Sequence, residues 1–239
     1  MRIAVITGVT RTEELTVTKS IGSLIIGSTL ALADIENERI SIMIERGNGS
    51  NVILLNKIKL KDFILASTFG ASAVQSDGDL KTIAVCELAF EGSIYLADKE
   101  SIKILLEDLD ADETYNLNGV EEPVQTNELY FIESKSIASE EVNKKVDVAG
   151  FDLAIMTTSD TISDISYQFV NGQVVKYLPK ELQALTRDID PIQYVDVTGN
   201  VVQGISDRLT LPLPHVNWLE VNKSQGDIIN FVVRTLKAV

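Results

Sequence analysis

The seven residues Arg39-Ile40-Ser41-Ile42-Met43-Ile44-Glu45 place Ile40, Ile42 and Ile44 on one face and polar or flexible residues on the other. Period two over that length is a half-buried β-strand. Gly47-Asn48-Gly49-Ser50 then supplies residues that tolerate positive φ, and Val52-Ile53-Leu54-Leu55 resumes the extended pattern. The segment is a hairpin. Leu60-Lys61-Asp62-Phe63-Ile64-Leu65, directly after it, reads as a short helix.

The same order returns roughly 120 residues later, far beyond a solenoid or propeller period. Ile165, Tyr167 and Phe169 alternate, Asn171-Gly172 turns the chain, and Val174–Tyr177 resumes the strand. Pro179-Lys180-Glu181-Leu182-Gln183-Ala184-Leu185 then reads as a helix with proline in its first turn. Beyond each helix come a long loop and a strand, Thr82–Phe90 in the first half and Arg208–Leu213 in the second. The pattern then matches Ser93–Leu96 to Val216–Leu219, and a closing strand from Ile102 to one from Ile228. Ile102–Leu109 fits both periods, and the β-branched run Ile228–Val233 at the matching place favours strand. Phe63 and Leu182 are expected to be equivalent buried anchors of the two helices.

Further strands are expected at Ile3–Val9, Leu15–Thr18, Ser23–Ala33, Leu129–Glu133, Lys145–Val148, Leu153–Thr157 and Ile192–Val197. Each half then holds about eight short strands, the content of a jelly roll. Gly119-Val120-Glu121-Glu122-Pro123 marks the boundary, giving an N-terminal barrel of residues 1–122 and a C-terminal barrel of 123–239. Nothing alternates strand and helix as a parallel sheet requires. The fold class is all-β: two tandem eight-stranded jelly-roll β-barrels, with short helices in inter-strand connections.

Composition limits function. The 239 residues are 45% hydrophobic and 23% charged, ordinary for a globular chain. A net charge of −14 repels phosphate, which argues against nucleic-acid binding and against adhesion to an anionic membrane. One cysteine excludes an internal disulfide framework and a cysteine-rich zinc site. Met1–Gly8 lacks the apolar core of a signal peptide, and Ser20–Ala33, interrupted by glycines, is shorter than the ~20 residues that cross a bilayer. A soluble, intracellularly made protein without cleavable targeting is expected.

Candidate chemistry is sparse. Ile3-Ala4-Val5-Ile6-Thr7-Gly8 looks like a strand entering a dinucleotide-binding turn, but the further glycines are missing. Asp108, Asp110 and Asp112 form the densest acidic cluster, yet a calcium loop from Asp108 would need glycine where Glu113 stands and glutamate where Gly119 stands. It reads as a solvated acidic turn. His215 is the sole histidine and reads as a surface or packing residue, which leaves Cys86, in a strand, without a supported catalytic partner. Trp218 reads as core. No catalytic, cofactor-binding or metal-ligating residue is assigned, no cofactor is implied, and the protein is expected not to be an enzyme.

A small acidic chain with two consecutive barrels, a short helix after an early hairpin in each, and no active site resembles the major capsid proteins of the double jelly-roll viral lineage. Ile40–Leu65 and Ile165–Leu185 with their following strands carry the likeness. It is nearest to those of small icosahedral bacteriophages with an internal membrane, the finnlakevirus and corticovirus kind. The resemblance implies homotrimers that form pseudo-hexameric capsomers of an icosahedral shell. Their partners would be neighbouring capsomers, penton or vertex and minor capsid proteins, and the underlying viral membrane, with no direct nucleic-acid binding. The chain would be made in the host cytoplasm and reside in the virion. Two rival classes are a tandem β-sandwich carbohydrate-binding or adhesion module, which would want more exposed aromatics, and a cupin-type enzyme, which would want several histidines.

Overall fold

A computed structural model describes the chain outside residues 70–73, 190–192, 196–197, 199–200 and 204–206; for 185–189, 193–195 and 201–203 it describes backbone only. The chain divides into two compact units, one of residues 1–132, 193–202 and 236–239, the other of 133–192 and 203–235.

The first unit carries β1 (Arg2–Thr7), β2 (Leu15–Val17), β3 (Ser23–Ser28), β4 (Arg39–Glu45), β5 (Val52–Lys59) and helix α1 (Leu60–Thr68). Then come β6 (Gln75–Asp77), β7 (Leu80–Glu87), β8 (Ser93–Ile94), β9 (Ser101–Glu107), β10 (Thr114–Val120) and β11 (Gln125–Thr126). Next follow β12 (Glu128–Ile137), β13 (Asn143–Asp147), β14 (Leu153–Thr157), β15 (Ile162–Phe169), β16 (Val174–Tyr177) and α2 (Pro179–Ile189). The chain closes with β17 (Gln193–Val195), β18 (Val201–Gln203), β19 (Arg208–Pro212), β20 (Val216–Lys223) and β21 (Ile229–Ala238). Of the expected strand Ile192–Val197, the residues 192, 196 and 197 lie outside the described residues.

The sheet orders establish the duplication. One barrel stacks β1-β10-β3-β7, with β6 at the edge, against β2-β9-β4-β5. The other stacks β12-β21-β14-β19 against β13-β20-β15-β16. Setting aside the short strands β6, β8, β11, β17 and β18, the barrel strands fall into two runs of eight. Both runs have sheet orders 1-8-3-6 and 2-7-4-5, the double Greek key of a jelly roll. The two halves are therefore one topology used twice, as the hairpin–helix–strand pattern implied.

The later part of the sequence correspondence needs correction. Ser93–Leu96 does not match Val216–Leu219: β8 is two residues long and pairs in parallel with β11, outside both barrel sheets. The true counterpart of β20 is β9, and that of the closing strand β21 is β10, which sequence patterning left unassigned. Ser23–Ala33 is likewise too long, since β3 stops at Ser28 and a 3-10 turn occupies Leu32–Asp34.

Each barrel fills with the inward side of its strands. In the first, Ile40, Ile42 and Ile44 of β4 meet Ile102, Ile104 and Leu106 of β9, all essentially inaccessible. In the second, Ile165 and Tyr167 of β15 join Leu219 and Val221 of β20 in a core that also holds Met156 and Phe231. The two helices differ in depth. Every residue of α1 is buried, including Lys61, whose ammonium donates to the Ala33 carbonyl at 3.0 Å. In α2, Leu182 is buried while Lys180, Glu181 and Gln183 face outward. Its start is capped reciprocally: the Leu178 backbone N–H donates to Glu181 Oε2 at 2.8 Å and Leu178 carbonyl accepts from Glu181 N–H, with Pro179 in the first turn.

Phe63 and Leu182 are thus both buried, 0% and 3% exposed. Phe63→Ala is expected to cost about 3–5 kcal/mol, and Leu182→Ala about 2–5 kcal/mol, as cavity-forming truncations do. Urea unfolding checks this; an unchanged midpoint for Phe63→Ala would contradict the anchoring role.

Candidate assembly surfaces

With inward positions committed to the cores, function must lie on the outward ones. Strand alternation sorts these into sheet faces of different chemistry. On the β2-β9-β4-β5 sheet, Met43, Ile53 and Leu105 line an apolar groove of about 240 Å3. Charges of both signs rim it: Lys103 pairs with Glu14 at 3.2 Å and Glu45 at 3.3 Å, and Glu107 lies 3.5 Å from both Arg11 and Lys57.

The outer face of β1-β10-β3-β7 is different. Val5, Ile25, Leu80 and Ile83 line a groove of about 370 Å3 floored by Gly27, with Asn116 and Asn118 beside them and Arg2 as its only charge. None of its lining residues is acidic. Gly27 and Asn116 are cross-strand partners, as are Asn118 and Ile25, so register alone assembles this surface.

The β13-β20-β15-β16 sheet presents a polar ladder. Asn143 donates to Glu220 at 2.7 Å, Asn222 donates to Asp164 Oδ1 at 2.7 Å, and the Lys176 ammonium lies 2.9 Å from Asp164 Oδ2. Half-buried Trp218 stands on this face with the Lys145 ammonium 4.9 Å from its ring centre, so it belongs to the outer face and not to the core as its strand position suggested. At the end of this sheet the β15–β16 hairpin exposes Val170 and Val174 (each 61%), and Leu178 follows at 52%.

The residues singled out in sequence do not converge. Cys86 is wholly buried in β7, where burial pushes its thiol far up, the opposite of an activated nucleophile. His215 is exposed in a left-handed turn (φ 63°) between β19 and β20, where its carbonyl accepts the Val170 N–H at 2.9 Å. The acidic turn is held by ordinary contacts: Arg39 reaches Asp108 at 3.1 Å, and Asp110 Oδ1 accepts the Asp112 N–H at 3.0 Å. Among the described residues, no three acidic, cysteine or histidine side chains gather as a metal site. No described helix is long and apolar enough to cross a membrane.

A buried polar link escaped sequence reasoning. The Tyr115 hydroxyl donates to Glu38 Oε1 at 2.9 Å and accepts the Asp110 N–H at 3.2 Å, which ties the acidic turn to the barrel interior. Burial, reinforced by the Glu38 carboxylate, pushes the Tyr115 phenol well above its ordinary value. Only the Tyr115 position in the β10 alternation hints at this in sequence.

No protein-family model matches the chain, and no curated protein sequence matches it. Solved structures do. The major capsid protein P2 of bacteriophage PM2 aligns with a TM-score of 0.55 and 9% identity, over 100% of this chain and 95% of that one. A chain in the atomic structure of Sulfolobus turreted icosahedral virus aligns with a TM-score of 0.60 and 9% identity, over 99% of this chain and 88% of that one. At such identity the likeness is one of fold, and the fold is the double jelly roll.

The ladder yields a pH prediction. Burial alone would raise the Asp164 carboxyl, but the Asn222 hydrogen bond and the Lys176 ion pair outweigh it and hold it below its ordinary value. A carboxyl lowered in the folded state stabilises the fold above about pH 4, and this is lost as pH falls through the lowered value. Asp164→Asn is expected to flatten the acid limb of a stability–pH profile. Identical acid limbs in variant and parent would refute the ladder's role.

Proposed function

We propose that this chain is a structural protein, the major capsid protein of an icosahedral bacteriophage shell, and not an enzyme. One observation carries the reading: the strand order repeats in two barrels, and it does so over the full length at which the chain aligns with a phage major capsid protein and a chain of an icosahedral virus. The proposed barrels are residues 1–122 and 123–239. Three copies would then supply six barrels, a pseudo-hexameric capsomer that tiles with its neighbours and with vertex and minor capsid proteins over an internal membrane. Its place is the virion, after synthesis in the host cytoplasm.

The physics fits a shell subunit. Two-sheet barrels pair the backbone of all but their edge strands and offer rigid faces for lateral packing. A −14 subunit suits a layer that does not touch the genome. An adhesion module fits less well, because the ladder beside Trp218 satisfies its own hydrogen bonds and Lys145 lies over the ring.

Three subunits of −14 carry −42 together, so long-range electrostatics opposes the trimer. Association must rest on short-range packing over obligate-type interfaces of about 2,000 Å2 or more. Sedimentation of the purified 26.2 kDa protein should give a trimer that persists as salt rises past ~0.15 M, where repulsion beyond about 8 Å is already screened. Dissociation at high salt would show that ion pairs dominate and would overturn this account of the interface.

A further inference from the structure

The two barrels leave equivalent sheet faces in different states. On β14 of the second barrel the outward residues Leu153 and Ile155 are as inaccessible as the inward Ala154 and Met156, and Val232 of neighbouring β21 is also buried on that outer side. On the equivalent face of the first barrel, Ile25 of β3 and Ile83 of β7 are only half-buried and Val5 of β1 is 46% exposed. Among the described residues, equivalent outward positions are therefore buried in the second barrel and only partly buried in the first.

Charge narrows what fits there. Two copies of a −14 chain repel at long range, and close approach is least opposed where neither presents carboxylates. The groove at Val5, Ile25 and Ile83 has no acidic lining residue. The β15–β16 hairpin has the same polarity: no acid occurs between Asp164 and Glu181, and Val170 and Val174 stand exposed on either side of its Asn171-Gly172 turn. By contrast, the groove at Met43 is ringed by four carboxylate contacts to its own lysines and arginine.

We propose that the groove of the β1-β10-β3-β7 face seats the β15–β16 hairpin of a second copy of this chain. The contact is heterologous, head to tail, and such contacts close into a ring when the rotation allows. The inference rests on the shell-protein reading and adds to it the two surfaces that join the copies.

Cysteine cross-linking tests this directly, because the native Cys86 is buried and does not compete. Val5→Cys and Val174→Cys chains, mixed and treated with a short bis-maleimide, are expected to form covalent dimers, while each variant alone remains uncross-linked. Val5→Asp and Val174→Asp alter exposed residues and should each shift the sedimenting species from three subunit masses to one, with the far-ultraviolet spectrum unchanged. A trimer that survives both aspartate variants and fails to cross-link overturns the docking while the shell reading stands. A parent protein that remains monomeric at high concentration overturns both.

Discussion

The strand register inside each barrel is the constraint on which the rest depends. Ile40, Ile42 and Ile44 face Leu106, Ile104 and Ile102 across β4 and β9, and Ile165 and Tyr167 face Val221 and Leu219 across β15 and β20. A slip of one residue would turn each set outward and replace the core with Lys103, Ser41 or Glu220. Because the pleat alternates, fixing the core also fixes the outside. The charge-rimmed groove at Met43, the acid-free groove at Ile25 and the ladder at Asp164 are by-products of the same registers.

What was legible in sequence follows from how local each signal is. The hairpins at Ile40 and Ile165 and the helices after them are written in adjacent residues, and the structure has them where the periodicity puts them. Strand β10 was not legible. Thr114-Tyr115-Asn116-Leu117-Asn118-Gly119-Val120 alternates correctly, but its two central outward residues are asparagines and its last inward one is glycine, types that mark turns. Tertiary contacts explain them: the asparagines flank a groove, and a Cβ on Gly119 would stand 2.7 Å from Ile21 Cγ2. Missing that strand moved the closing correspondence by one element, although the duplication itself was read correctly.

The candidate surfaces were less legible still. Alternation says which residues point out, and says nothing of what covers them. Leu153 and Ile25 occupy comparable outward positions on equivalent strands, yet one is buried and the other half-exposed. That difference is set by the environment of each sheet and not by its own pattern. The Glu38–Tyr115 link is invisible for a similar reason, since it joins residues 77 apart in sequence.

A chain with one topology used twice and with sheet faces of distinct polarity is suited to being repeated in a layer. In the proposed capsomer, three copies present six barrels of one topology around one axis. Electron cryomicroscopy of the purified oligomer tests it most directly. The account predicts class averages of a three-fold particle with six barrel densities in a pseudo-six-fold ring; two-barrel particles, or an oligomer without that ring, would contradict it.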